Sequence, residues 1–155
     1  MDAIKSKLEI FDEKVINFSR KWGMPFSRFA IFVIYFWFGA LKVFELSPAS
    51  PLVSALLAQT MPFISPDAFL IAFGLLEMVI GIAFLIPHLE RLAVFALVLH
   101  LITTIMPLFL LPQIAWSGVM VPTLEGQYMI KNILLVALAL GILSHLHTHK
   151  EKTVN

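Results

Sequence analysis

Four apolar segments of about 20 residues each constrain the fold of this chain most strongly. An α-helix rises ~1.5 Å per residue, so about 20 apolar residues cross the ~30 Å hydrocarbon core of a bilayer. Segments of this length cover residues 26–46, 67–86, 91–111 and 125–145. The 155 residues are 59% apolar and 14% charged, whereas a soluble domain is roughly 45–50% apolar and about 25% charged. We therefore predict an all-α fold, an integral membrane four-helix bundle.

Prolines punctuate these segments. Pro25 stands just ahead of the first segment, Pro66 opens the second and Pro87 follows it. Pro107 lies inside the third segment, where it removes a backbone hydrogen bond and crowds the preceding turn. We expect a kink at that position. A further amphipathic stretch begins at Ser50 and predicts a short helix at the outer leaflet.

Lysine and arginine are distributed unevenly between the two sides of the predicted bundle. The links 47–66 and 112–124 contain neither residue, whereas the chain ahead of the first span contains five: Lys5, Lys7, Lys14, Arg20 and Lys21. Basic residues favour the cytoplasmic side. We predict a multi-pass protein of a bacterial inner membrane with both termini in the cytoplasm. The first 20 residues are charged throughout, so no removable signal peptide is predicted.

The first 22 residues predict an N-terminal amphipathic interfacial helix. Their apolar residues alternate at spacings of four and three, which places on one face Ile4, Leu8, Phe11, Val15, Phe18 and Trp22. Two interpretations of this stripe stay open: the helix lies in the cytoplasmic headgroup region, or it packs against a protein partner or its own copy through residues 4–22. The predicted units are residues 1–22, the transmembrane domain 23–149 and the tail 150–155.

Polar residues inside the predicted spans are the candidate functional residues. A charge at mid-bilayer costs about 2.5–3.5 kcal/mol on insertion scales, so such side chains must pair, face the bundle interior or reach the interface. Their positions along the four predicted helices place these polar residues at similar depths, in the outer half of the bundle. The candidate ligand-binding residues are Lys42, Glu45, Glu77, His100, Thr103, Thr104, Tyr128, Lys131 and Asn132.

Charge balance suggests how these residues interact. Glu77 lies near the midplane between two glycines, and Glu45 follows Lys42 closely enough to pair. Lys42 and Lys131 would together neutralise Glu45 and Glu77. Two interpretations stay open: a buried ion-pair network that fixes helix register, and a polar cavity that opens outward and binds a ligand.

Several chemistries are excluded or unsupported by the sequence. The chain has no cysteine, which removes disulfides and cysteine-ligated metal centres. A net charge of +1 gives no reason to expect nucleic acid. His145, His147 and His149 alternate along the tail, and only the first and last would share a helix face. We predict no metal site.

Three short motifs carry a resemblance to a known family. The first span contains Gly39-Ala-Leu-Lys42, the second contains Gly74-Leu-Leu-Glu77 followed by Gly81, and the fourth contains Tyr128-Met-Ile-Lys131-Asn132. In this order the motifs resemble those of the DoxX-like superfamily of four-helix membrane proteins. They also resemble those of the branch that includes an inner-membrane protein of reactive-chlorine resistance. Many relatives carry aspartate where this chain has asparagine after the lysine of span four.

The resemblance implies a redox- or stress-associated protein of the inner membrane. Some members of the superfamily are subunits of a thiosulfate:quinone oxidoreductase. The leading hypothesis is therefore that the outer-half cavity binds a quinone-like or other amphipathic small molecule. A quinone-like ligand is the cofactor that we expect. Lys42 and Lys131 would donate to ligand oxygens, and Glu77 with His100 would exchange protons. The alternatives are a non-enzymatic assembly factor or structural subunit, and a small proton-coupled transporter.

Overall fold

The computed structural model describes the backbone of residues 2–146 and the side chains from residue 8 to residue 146. Eight helices and one short hairpin make up this part of the chain. In chain order they are α1 (Asp2–Val43), α2 (Ser50–Thr60), α3 (Pro66–Leu85), α4 (Glu90–Ile105), α5 (Pro107–Leu110), α6 (Pro112–Ala115), β1 (Trp116–Gly118), β2 (Val121–Pro122), α7 (Leu124–Lys131) and α8 (Ile133–Ser144).

The four predicted membrane-spanning segments are present as helices. They cover Leu8–Val43, Pro66–Leu85, Glu90–Leu110 and Leu124–Ser144, each long and apolar enough to cross a bilayer. Their ends agree with the predicted ends within a few residues, except at the start of the first. The fold is the expected helical one of a multi-pass membrane protein, with a two-stranded antiparallel hairpin added between α6 and α7.

Helix α1 does not begin where the sequence analysis placed the first span. It runs without interruption from Asp2 to Val43 and contains Pro25, so residues 2–22 are not separated from the span by a turn. The Ser27 hydroxyl donates a 2.7 Å hydrogen bond to the Gly23 carbonyl beside the proline. Forty-two residues make a helix of about 63 Å, twice the thickness of the hydrocarbon core. The interfacial position of residues 1–22 stays a prediction.

Helices α1 and α3 make the closest contact in the bundle. A Cβ atom built on Gly39 would lie 2.5 Å from the Gly74 carbonyl oxygen, and one built on Gly74 would lie 2.6 Å from the Gly39 carbonyl oxygen. Two turns further along α3, a Cβ atom built on Gly81 would lie 3.1 Å from the backbone nitrogen of Phe36. Small residues at such positions let two membrane helices approach backbone to backbone. The face of α3 that carries Gly74 and Gly81 therefore packs directly against α1.

The apolar core occupies the space where α1, α3, α4 and α8 meet. Its largest fully buried side chains include Phe84 from α3, Ile31 from α1, Leu97 from α4 and Ile142 from α8. Each of these four helices therefore contributes at least one side chain that the other helices cover. This core lies on the same side of α1 as Gly39, which fixes the direction in which the polar residues of that helix point.

The third and fourth spans are both interrupted. Helix α4 ends at Ile105 and α5 begins at Pro107, so the interruption falls at the proline, and the kink stays a prediction. The interruption between α7 and α8 at Asn132 was not predicted. Ahead of α7, Thr123 caps the helix by accepting a 3.1 Å hydrogen bond from the Gly126 amide, as hydroxyl residues do at helix starts.

The glycine contact generates the first testable prediction. Gly74→Ala forces a methyl group against backbone and against Lys42 Cβ at 2.8 Å, so we expect a loss of about 1–3 kcal/mol in the free energy of unfolding. Gly141→Ala is the matched control, because nothing lies within 4 Å of its Cβ and alanine has the higher helix propensity. Thermal unfolding in detergent micelles measures both variants. Equal stability of the two variants would contradict the contact.

Candidate functional site

A buried ion pair joins α1 to α3 inside the bundle. Lys42 Nζ lies 2.6 Å from Glu77 Oε2, and the two side chains are only 9% and 8% exposed. Lys42 comes from the last turn of α1, one turn beyond Gly39. Glu77 lies one turn beyond Gly74 on α3. The glycine contact thus brings the two backbones close enough for a short, direct ammonium–carboxylate hydrogen bond.

His100 from α4 extends this pair into a three-helix cluster. Its Nε2 atom lies 3.1 Å from Glu77 Oε1, and its side chain is 3% exposed. Nε2 forms no hydrogen bond among the described residues, although this carboxylate oxygen is its near neighbour. The carboxylate of Glu77 therefore has an ammonium at one oxygen and an imidazole at the other.

Aromatic residues hold the imidazole in place. The Tyr35 hydroxyl lies 3.2 Å from His100 Nδ1, and the tyrosine is itself 4% exposed. The Phe73 ring stacks on the imidazole with the ring centroids 4.5 Å apart. If the phenolic O–H donates to Nδ1, the imidazole proton sits on Nε2, on the side of Glu77. Tyr35, His100, Glu77 and Lys42 thus form one chain of polar contacts, which we call the buried tetrad.

The buried tetrad has the chemical features of a proton-exchanging site. It contains one carboxyl, one imidazole, one ammonium and one phenol, each within reach of the next, and low-dielectric surroundings strengthen their interactions. Glu77 lies about 16 Å from the start of α3 and about 12 Å from its end, which places the cluster deep in the span. The unpartnered Nε2 atom has capacity for one more hydrogen bond. A buried polar atom without a partner calls for an explanation.

The structure brings together only some of the predicted ligand-binding residues. Lys42, Glu77 and His100 meet in the buried tetrad. Thr104 lies apart from them and accepts a 3.4 Å hydrogen bond from the Asn132 amide, which links α4 to the start of α8. Thr103 donates to the carbonyl of His100 on its own helix at 2.6 Å.

The other three predicted residues lie outside the buried tetrad. Lys131 Nζ lies 5.4 Å from the centre of the Tyr128 ring, and both residues are exposed. Glu45 is exposed beyond the end of α1 with a positive φ of 59°. Lys42 therefore pairs with Glu77 rather than with Glu45, because α1 ends at Val43 and the helical spacing that predicted the Lys42–Glu45 pair no longer applies. We expected Lys131 and Lys42 to lie close together, but Lys131 is exposed beside Tyr128 and Lys42 is buried beside Glu77.

The predicted site residues do not include Tyr35 of the buried tetrad, the neighbouring Phe73 or Arg28, which makes two polar contacts. Tyr35 shares a helix face with Gly39 and Lys42, a signal that could have assigned it to the site. Phe73 has no such signal, since one more phenylalanine on an apolar helix is unremarkable in the sequence. Near the opposite end of the bundle, Arg28 Nη1 pairs with Glu90 Oε1 at 2.9 Å. Arg28 Nε also donates to the Phe84 carbonyl at 2.6 Å.

The histidine tail is only partly described. His145 is exposed, and its Nδ1 lies 2.8 Å from the Gly141 carbonyl oxygen. That contact closes the last turn of α8 and occupies one ring nitrogen. His147 and His149 lie outside the described residues.

An apolar groove of about 340 Å³ lies along α1. Its walls come from one helix: Phe32, Val33, Phe36, Trp37, Ala40, Leu41 and Phe44. Most of these residues lie on the side of α1 that faces away from Gly39 and Lys42, as their spacing on a helix shows. The groove is therefore separate from the buried tetrad and faces the surroundings of the bundle.

Comparison with known proteins adds no assignment. No family model, no curated protein and no solved structure matches this chain. The resemblance to the DoxX-like superfamily stays a prediction, and the function must be argued from the site itself.

Proposed function

We propose that this chain is a DoxX-like protein of the bacterial inner membrane that binds a quinone-like or other amphipathic small molecule and exchanges protons with it through the buried tetrad. The observation that carries the proposal is the burial of three ionisable side chains in direct succession: Lys42, Glu77 and His100. Ionisable residues at membrane depth are costly and usually mark a substrate, ion or proton pathway.

Each member of the buried tetrad has a role in this proposal. His100 Nε2 supplies the free hydrogen-bonding position that a carbonyl or hydroxyl oxygen of the ligand would fill. Glu77 lies 3.1 Å from that atom and accepts or returns the proton. Lys42 pairs with the Glu77 carboxylate and can donate to a ligand oxygen. Tyr35 orients the imidazole from its other side.

The polar residues nearer the outer boundary fit the entry side of such a site. Thr104 lies on α4 and Asn132 at the α7–α8 junction, and a hydrogen bond joins their side chains. Tyr128 and Lys131 are exposed on the same segment as Asn132 and would meet the ligand at the rim. In this proposal these four residues contact the ligand before it reaches the buried tetrad.

Ligand binding by variants at the buried tetrad tests the proposal. We expect His100→Gln and Glu77→Gln to weaken binding of a short-chain ubiquinone analogue by about tenfold or more, since a hydrogen bond to a charged group is worth roughly 1.5–3 kcal/mol. Glu45→Gln is the matched control, because it removes an exposed carboxyl on the same side of the bundle. Binding is measured by titration in nanodiscs, with mass spectrometry of ligand retained by the purified protein.

Two results would reject this function. One is analogue binding that is equal in Glu77→Gln, His100→Gln, Glu45→Gln and the unaltered chain. The other is no analogue binding by the unaltered chain and no amphipathic molecule retained with it. Circular dichroism of each variant separates loss of binding from loss of the fold.

The orientation is part of the same proposal, and the lack of cysteine makes it testable. Ser117 lies exposed in β1 and Ser19 lies exposed in the first half of α1. We expect Ser117→Cys to react with a membrane-impermeant maleimide in intact spheroplasts. Ser19→Cys should react only after the membrane is opened. The reverse pattern would place the termini outside and would contradict the assignment from lysine and arginine.

A further inference from the structure

The faces of α1 and span four that meet in one half of the bundle are uncovered in the other half. On α1, Ile31 is fully buried, whereas Phe38 is 52% exposed. In span four, Leu135 packs against the apolar core, whereas Tyr128 is 62% exposed. Each pair is separated by seven residues, which is close to two helical turns, so its members share one helix face. Both helices thus lose their cover toward the end of the bundle that carries α2.

The contacts of the two halves of span four agree with this difference. Helix α8 packs against both α1 and α4, whereas the main contacts of α7 outside its own span are with α4, α6 and β2. The change falls at Asn132, which separates α7 from α8 while its φ and ψ angles stay in the right-handed helical region. We call the uncovered region between α1 and α7 the lateral opening. It is defined by Phe38 on one side and by Tyr128 and Lys131 on the other.

The α1 side of the lateral opening lies next to the buried tetrad. Phe38 stands three residues after Tyr35 and four residues before Lys42. Residues three and four apart are neighbours on a helix surface. Tyr35 and Lys42 are both buried members of the tetrad. A molecule that contacts Phe38 is therefore within one helical turn of two polar groups of the site.

Polar side chains connect the α7 side of the lateral opening to the same site. Tyr128 stands one turn ahead of Asn132, whose amide donates to the Thr104 hydroxyl at 3.4 Å. Thr104 stands one turn beyond His100 on α4. Lys131 Nζ lies 5.4 Å from the centre of the Tyr128 ring. Tyrosine and lysine have an apolar body and a polar tip, so this wall suits an amphipathic molecule, and Phe38 suits its apolar part.

Both ends of the bundle are packed more closely than its side. At the end that carries α2, the joining segments bury Leu57, Leu111 and Ala115, which are at most 2% exposed. Toward the other end, Phe84 and Leu97 are fully buried in the apolar core. In the described part of the chain, the lateral opening is therefore a shorter route to the buried tetrad than a path along the bundle axis.

We infer that the ligand of the buried tetrad carries a long apolar tail, which occupies the lateral opening and extends between α1 and α7 into the bilayer. Its small polar head lies at His100 Nε2, the buried atom that forms no hydrogen bond. Phe38 contacts the tail, and Tyr128 and Lys131 contact the molecule where head and tail join. The inference rests on the proposed function and adds to it the class of ligand: a lipid-like molecule that enters from the membrane.

Photo-cross-linking locates the tail in the protein in nanodiscs. The probe is a ubiquinone analogue with a decyl tail that carries a diazirine midway along its length. We expect tandem mass spectrometry to find the label on Phe38, Tyr128 or Lys131, and His100→Gln to reduce it by about tenfold, because the head is then held less tightly. Trp37 is the internal reference, since it is 64% exposed on α1 but lines the apolar groove instead.

A second measurement compares the decyl-tailed analogue with a tail-less analogue that has the same quinone head. Phe38→Ala should raise the dissociation constant of the tailed analogue about fivefold more than that of the tail-less one, since only the tail loses apolar contact. Trp37→Ala is the matched control, and the ratio of the two constants should stay within about twofold. Taking the ratio for each variant cancels the general partitioning of the tail into lipid.

Three results would overturn the inference while leaving the proposed function in place. The first is equal labelling of Phe38 and Trp37, which indicates a tail dissolved in the surrounding lipid. The second is labelling of the lateral opening that His100→Gln leaves unchanged. The third is a Phe38→Ala effect that is the same for both analogues. Binding of neither analogue by the unaltered chain would instead reject the proposed function, and the inference with it.

Discussion

The Lys42–Glu77 ion pair is the interaction on which the rest of this structure depends. Each charge alone would be costly at this depth in a membrane, and the 2.6 Å contact between them offsets that cost. The pair can form only because Gly39 and Gly74 let α1 and α3 meet backbone to backbone. Two glycines and two opposite charges thus fix both the distance and the register of one helix pair.

The same pair organises the third helix of the site. Glu77 offers one oxygen to Lys42 and the other to His100, so α4 is aligned by a carboxylate whose own position is already fixed. Tyr35 and Phe73 then hold the imidazole from two sides. His100 Nε2 lies 3.1 Å from Glu77 Oε1 and forms no hydrogen bond among the described residues, so it can still donate to or accept from a further group. That nitrogen is the atom to which the proposed ligand would bind.

The sequence predicts the spans well and the site in part, for physical reasons that differ. Span positions depend on apolar length, a property of each segment alone. The meeting of Lys42 with Glu77 follows from glycine-flanked motifs on two helices. Lys131 was misplaced because depth along a helix says nothing about the direction in which the side chain points. The unbroken passage of α1 through Pro25 was missed because a proline breaks some helices and is tolerated in others.

A double-mutant cycle on Lys42→Met and Glu77→Met tests the central claim most directly. Each single change leaves a buried charge without its partner, and we expect a loss of about 3–5 kcal/mol in the free energy of unfolding in micelles. The double variant should lose less than the sum of the two, with a coupling energy of about 2 kcal/mol or more. Single effects that add within roughly 0.5 kcal/mol would contradict the account, because independent residues add in that way.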